Sequence, residues 1–222
     1  MLISMFKYTE SFVADLLFKE NRIRIGTLNG FRDMESKQGI SDPLEGSYDD
    51  HVIINGTEKD YFNNPIFREN LKGLIHIEDS CSNITITNCT SLTKRVSQNF
   101  LIFCCADKES SDLFKQFDRA DTCFTISKPH RFFTLITWAL EKEFNCAVDF
   151  LGVHKISYQP YTRKRSAFDS LNIHPALAKT EEFRPQCELR AIWQVPQDLI
   201  TKPFYDLQVS GLKKTCSLIN FE

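Results

Sequence analysis

The chain has 222 residues, 42% hydrophobic and 25% charged, which is enough apolar material for a substantial core. Twenty-seven Lys and Arg against 29 Asp and Glu leave a formal charge of −2, so a global basic field for nucleic acid is excluded. No run approaches the roughly 20 apolar residues of a membrane helix, and residues 1–20 hold no basic-then-apolar leader; a cytoplasmic protein without membrane contact is expected.

In chain order, Met1–Lys7 predicts a first strand, and Thr9 can cap a helix to about Asn21 with Phe12, Val13, Leu16 and Leu17 on one stripe. Arg22–Thr27 alternates at period two and predicts a strand. Residues 30–46 are dense in charge and turn formers, a long loop of the kind that is usually functional or disordered. His51–Thr57 carries the hairpin signature Asn55-Gly56. Leu74–Ile77 and Ile84–Thr87 are further strand candidates, and Phe100–Ala106 reads as a buried strand. Ser110–Asp118 predicts a short helix capped by Ser111, Thr122–Ser127 a strand, and Pro129–Phe144 the longest helix, with Pro129 suited to its first turn. Residues 147–158 read as a strand, Thr162–Ser166 as a solvated basic turn, and 167–185 as helical or irregular. Strands over 186–195, 204–210 and 214–220 close the chain. The sum is one α+β domain over 1–222, with a mostly antiparallel sheet, whole or split, and few helices.

The cysteines follow the same logic. Cys104 and Cys105 lie in the apolar run Phe100–Ala106, and Cys123, Cys146 and Cys187 in apolar or strand-like segments. They read as small hydrophobes, since a chain this long needs no disulfide staple. No C-x-x-C pair or His-rich set has zinc spacing, so no metal is expected. The five histidines form no H-x-x-x-H motif. P-loop, G-x-G-x-x-G and G-x-S-x-G patterns are likewise missing, which argues against a P-loop NTPase, a standard dinucleotide fold and a serine hydrolase.

Residues 186–195 carry the strongest signal. On a strand, Gln186, Glu188 and Arg190 share one face, with Cys187, Leu189, Ala191, Trp193 and Val195 on the other. The apolar row serves the core. The polar row is either an exposed sheet face or a carboxylate presented from a strand and oriented by a cation, able to stabilise positive charge or accept a proton. In the 30–46 loop, Arg32 offers a planar donor fork for phosphate, and Asp42 and Glu45 could join Glu188 around a divalent ion in a phosphodiesterase.

Three segments together resemble a widespread, largely uncharacterised bacterial and phage family: Phe6-Lys7-Tyr8-Thr9 with the Ile23–Thr27 strand, Asp42-Pro43-Leu44-Glu45, and the ending Lys179, Phe183, Gln186, Glu188, Arg190. That family typically has Trp where Phe183 stands and Glu where Gln186 stands. A looser resemblance is to mono-ADP-ribosyltransferases, through the strand–helix–strand opening and Gln186-Cys187-Glu188. It implies an ADP-ribosyltransferase-like fold acting on NAD as substrate, in toxin or phage-defence biology, with transfer to a macromolecular acceptor or hydrolysis. Carried over, Glu188 favours the oxocarbenium-like transition state and Gln186 faces the acceptor, while Arg190 is the neighbouring cation that the strand pattern itself sets beside the carboxylate. Lys7, Arg24 or Arg32 binds NAD phosphate or ribose, and Phe31 or Tyr48 stacks on nicotinamide. The family's Ser-Thr-Ser and His-Gly-Thr motifs have no counterpart here. The alternative expectation is a non-enzymatic module that binds a nucleotide or a protein.

Overall fold

The computed structural model describes residues 5–33, 44–117, 119–170 and 173–221. Its elements run β1 (Phe6–Thr9), α1 (Ser11–Glu20), β2 (Arg22–Thr27), α2 (Leu28–Asp33), β3 (Ser47–Thr57), α3 (Glu58–Asn63), α4 (Pro65–Leu71), β4 (Thr85–Val96), β5 (Leu101–Ala106), β6 (Thr122–Ile126), α5 (Pro129–Phe144), β7 (Asp149–Lys155), β8 (Ser157–Gln159), β9 (Thr162–Ser166), β10 (Ala178–Thr180), β11 (Glu188–Gln194), β12 (Phe204–Gln208) and β13 (Cys216–Ile219). This is an α+β architecture. All strand pairs are antiparallel except β3 with β9 and β8 with β10.

An eight-stranded sheet forks at β5. One edge of β5 pairs with β11 along its whole length, from Trp193↔Leu101 to Glu188↔Ala106. The other edge is shared: β2 takes Leu101 and Ile102, and β1 takes only Ala106. Phe103, Cys104 and Cys105 have no registered partner on that edge among the described residues. The Cys104 carbonyl there accepts a 2.7 Å hydrogen bond from the Lys7 ammonium, in keeping with the rule that main-chain groups inside a fold find partners. The split places Lys7 of β1 beside the polar row of β11.

The main core packs α1 and α5 onto one face of this sheet. Leu189, Ala191 and Trp193 of β11 join Phe103, Phe132, Phe133, Ile136 and Leu140. The opposite face is covered too, by Leu28, Phe100, Ala176 and Ile192. A second core lies between α3, α4 and a three-stranded sheet ordered β4-β3-β9, around Val52, Ile54, Tyr61, Phe67 and Leu71.

Several expected elements take a different form. The first helix is capped neither by Thr9, which pairs with Thr122 in β6, nor by any side chain of its own. Asp121 instead accepts from the Ser11 amide and hydroxyl. Asn55-Gly56 makes no hairpin. β3 runs through it with a bulge at Ile54/Gly56, and a Cβ on Gly56 would lie 2.6 Å from the buried Phe67 ring. Thr57 then caps α3 in a reciprocal capping box with Asp60. Leu74–Ile77 is turn and irregular backbone. Residues 162–166 are β9, whose Arg165 is buried against Asp50 rather than solvated. Cys187 adopts a left-handed conformation after a 3-10 turn over Glu181–Gln186, so the strand starts at Glu188 and Gln186 precedes it.

Candidate functional site

Glu188 opens β11 at the mouth of the split. Its carboxylate sits in a ring of four charges contributed by three distant segments. Lys179, from β10, donates to Glu188 Oε2 at 2.9 Å. Arg190 donates to Glu188 Oε1 from Nε at 3.0 Å and Nη2 at 2.7 Å. On its far side Arg190 Nη1 lies 2.8 Å from Glu45 Oε1, and Glu45 Oε2 lies 3.9 Å from Lys179 Nζ, which closes the ring. Cation and anion alternate, and all four side chains are buried, Arg190 completely. The contact to Glu45 Oε1 is an ion contact without hydrogen-bond geometry.

Backbone and neighbouring side chains hold the ring in place. Arg190 Nη1 also donates to the Ala176 carbonyl at 2.6 Å. The Lys179 ammonium donates to Gln186 Oε1 at 3.0 Å and lies 4.4 Å from the centre of the Phe183 ring. The Glu188 amide donates to the Tyr158 hydroxyl at 2.7 Å. Arg32 fixes Glu45 from behind, with Nε and Nη2 donating to the Glu45 carbonyl at 3.1 and 2.6 Å.

Burial pushes the Glu188 carboxyl towards protonation, but Arg190 and Lys179 more than reverse it, holding it well below the usual carboxylate range. Burial likewise opposes charge on Lys179 and Arg190, while Glu188 and Glu45 raise both above their ordinary values. Glu188 is therefore a permanent anion near neutrality, suited to electrostatic stabilisation and unsuited to carrying a proton in turnover. Cys104 beside it is pushed up to about 12, by burial first and the Glu188 charge second, so its thiol stays neutral and is a poor nucleophile.

The ring forms part of a pocket of about 120 Å³ lined by Lys7, Tyr8, Thr9, Glu10, Phe31, Glu45, Cys104, Phe117, Ala120, Lys179, Gln186 and Glu188. Ring charges cancel, and beside them the pocket carries one further cation, Lys7, and one further anion, Glu10. The Lys7 ammonium makes a single hydrogen bond among the described residues, to Cys104, and lies 5.0 Å from the Phe103 ring centre. Phe31 and Phe117 supply aromatic surface. Phe31 reaches its place because position 26 is glycine; a Cβ there would lie 2.3 Å from the Phe31 ring. Ligand sites for drug-sized molecules run to about 300–1,000 Å³, so this one fits a single ring or anionic group.

Of the residues singled out in the sequence, Lys7, Phe31, Gln186 and Glu188 come together in this pocket. Arg190 does not line it: the guanidinium stands behind Glu188, where it positions the carboxylate and cannot meet a ligand. The expectation of an exposed polar face is thus corrected to a buried one. Arg24 lies elsewhere, its fork spent on Asp206 at 2.8 and 2.9 Å and its plane 4.0 Å from the Phe204 ring. Arg32 spends its fork on a main-chain carbonyl and has none left for phosphate. Tyr48 is 1% exposed, with its hydroxyl donated to the Ile173 carbonyl, and cannot stack on a ligand. Asp42 falls outside the described residues. Among the described residues, no group of three or more His, Cys, Asp or Glu could hold a metal ion.

Lys179 entered the sequence reading only as the start of the family-like ending, with no role in the site. Its signal was a lone lysine following Ala176-Leu177-Ala178, an apolar flank that marks a buried position, seven residues before Gln186. Glu45 had entered as a candidate metal ligand and as the end of the Asp42–Glu45 segment of the resemblance, and Tyr158 had no motif at all. Comparisons with protein-family models, curated proteins and solved structures gave no match.

Proposed function

We propose that the protein acts on NAD in the manner of an ADP-ribosyltransferase, with the pocket receiving the nicotinamide-ribose end of the dinucleotide. The observation that carries this reading is the convergence of Lys7, Phe31 and the Gln186–Glu188 stretch from three segments on one pocket. A volume near 120 Å³ suits one ring of the dinucleotide, the rest lying outside. In the reaction the bond between ribose C1′ and nicotinamide breaks, and nicotinamide leaves with the bonding pair. The ribose acquires positive charge, and an acceptor hydroxyl, amine or water attacks C1′ and loses a proton. Glu188, held ionised by Lys179 and Arg190, stabilises that charge without reorganising. Gln186 orients the acceptor, and Phe31 stacks on the departing ring. The fold would then be of ADP-ribosyltransferase type, and toxin or phage-defence biology would follow from the chemistry.

A second reading has its own support. Both Glu188 oxygens already accept hydrogen bonds from cations, and the Lys7 ammonium faces the pocket with a single hydrogen bond among the described residues. That arrangement favours recognition of an anionic nucleotide without turnover. Nicotinamide release from NAD, measured with cell lysate supplied as acceptor, separates the two. The enzyme reading expects release that falls roughly 100-fold or more in Glu188→Gln, assayed below the variant's own melting temperature, and falls also in Gln186→Ala. Binding of NAD with no nicotinamide released by the wild type would leave the second reading and remove the first.

A further inference from the structure

The three-stranded sheet carries a second concentration of charge, independent of the pocket. Its register places Tyr48 opposite Arg95, Asp50 opposite Arg163, and Val52 opposite Arg165. Three guanidiniums thus share the inner face of the sheet with a single carboxylate.

That carboxylate is already committed. Asp50 is completely buried and accepts from Arg165 Nε at 2.8 Å and Nη2 at 2.9 Å. Arg165 spends its remaining donors on Asn70 Oδ1 at 2.8 Å and the Asp169 carbonyl at 2.6 Å. Arg95 reaches Asp50 Oδ2 only at 3.4 Å, and its Nε is buried with no hydrogen-bond partner. Arg163 makes no ion pair with a described carboxylate, and its Nη1 is also buried without a partner. The Tyr48 phenol also faces both. Burial raises its pKa and Asp50 adds to that, while Arg163 and Arg95 oppose. Its proton is given to the Ile173 carbonyl, which leaves the phenol oxygen to accept from Arg163; the Arg163 Nη1 still has no partner.

Three positive charges against one leave +2, with two guanidiniums each holding a buried N–H that has no acceptor. An unmet buried donor costs about 1–3 kcal/mol, and guanidinium forks match the oxygens of phosphate in spacing and plane. Arg95 is still 40% exposed along its side chain, so a ligand can reach it from solvent.

We propose that Arg95 and Arg163 form an anion site for a dianionic phosphate group, either inorganic phosphate or a phosphate monoester, separate from the pocket at Glu188. The two positive charges balance a dianion, and a diester with its single charge would leave one uncompensated.

Titration calorimetry at low ionic strength tests this with inorganic phosphate, adenosine 5′-monophosphate and the cyclic 3′,5′-monophosphate, a diester of the same nucleoside. The wild type is expected to bind the first two more tightly than the cyclic ester. Arg163→Gln and Arg95→Gln should each weaken that binding roughly tenfold or more. Both variants leave the two Arg165 hydrogen bonds to Asp50 in place, and Arg95→Gln gives up only the 3.4 Å contact, so circular dichroism should confirm that both fold. Lys7→Met should bind both ligands like the wild type. Binding of inorganic phosphate alone or of the monoester alone would each uphold the site and identify the source of the group. The proposal is overturned by absence of binding, by equal binding of the cyclic ester, by unchanged affinity in both arginine variants, or by loss in Lys7→Met, which would assign the anion to the pocket.

Discussion

Replacing Lys179 by methionine keeps most of the stem and removes one charge from the four-membered ring. Glu188 Oε2 loses its 2.9 Å donor and Gln186 Oε1 its 3.0 Å donor. Two carboxylates then face Arg190 alone. At 7% exposure or less these groups have little access to compensating water. Removing one partner of a buried ion pair costs about 3–5 kcal/mol. For a chain of this length the melting midpoint moves by about 2–4 °C per kcal/mol, so the drop should be roughly 6–20 °C. Urea denaturation gives the free energy directly, with an unchanged slope as the sign that only stability has moved. Lys19→Met is the control: its 2.8 Å partner Asp15 is exposed, and its loss should cost under about 0.5 kcal/mol. A loss below about 1 kcal/mol in Lys179→Met, the scale of a solvent-exposed pair, would refute the account of the ring.

The same network makes Glu188→Gln costly in stability, contrary to what a solvated strand face would suggest. Its carboxyl is held below the ordinary value, so its contribution is complete above the unfolded pKa, about 4.3, and is lost as pH falls below it. Urea midpoints followed from pH 7 to pH 3 should therefore fall less steeply on the acid side in Glu188→Gln than in the wild type; parallel curves would contradict the ionised carboxylate. Gly26→Ala puts a methyl 2.3 Å from the Phe31 ring and should cost about 1–3 kcal/mol while weakening ligand binding in the pocket, read by denaturation and calorimetry together. Asp50→Asn strands Arg165 in a buried position and should lose about 3–5 kcal/mol in urea denaturation. Arg24→Ala removes an exposed pair with Asp206 and should leave both stability, within about 1 kcal/mol, and any activity on NAD as they were.

The elements that declared themselves locally were legible in the sequence. Pro129–Phe144 is a helix over the expected residues because a proline at its start and an apolar stripe of Phe132, Phe133, Ile136 and Leu140 agree. Alternation also paired Glu188 with Arg190 correctly. What alternation cannot give is the layer that covers a face. Here that layer comes from residues 44–45 and 173–186, which alternation within β11 does not register, so an apparently exposed row became a buried one. That Arg24 and Arg32 stand outside the pocket was not legible for a related reason: a guanidinium fork looks the same in sequence whether it meets phosphate, Asp206 or a main-chain carbonyl. The helices α3 and α4 did have local signals, in Thr57-x-x-Asp60 and Asn64-Pro65, but Asn55-Gly56 just before them resembled a turn.

The central claim is that the pocket beside Glu188 receives NAD. Titration of NAD into the wild type, Lys7→Met and Gln186→Ala by calorimetry tests it most directly. The account predicts binding to the wild type and a loss of roughly tenfold or more in Lys7→Met, whose ammonium faces the pocket with one hydrogen bond among the described residues. Equal affinity in all three proteins, or no binding by a folded wild type, would contradict it.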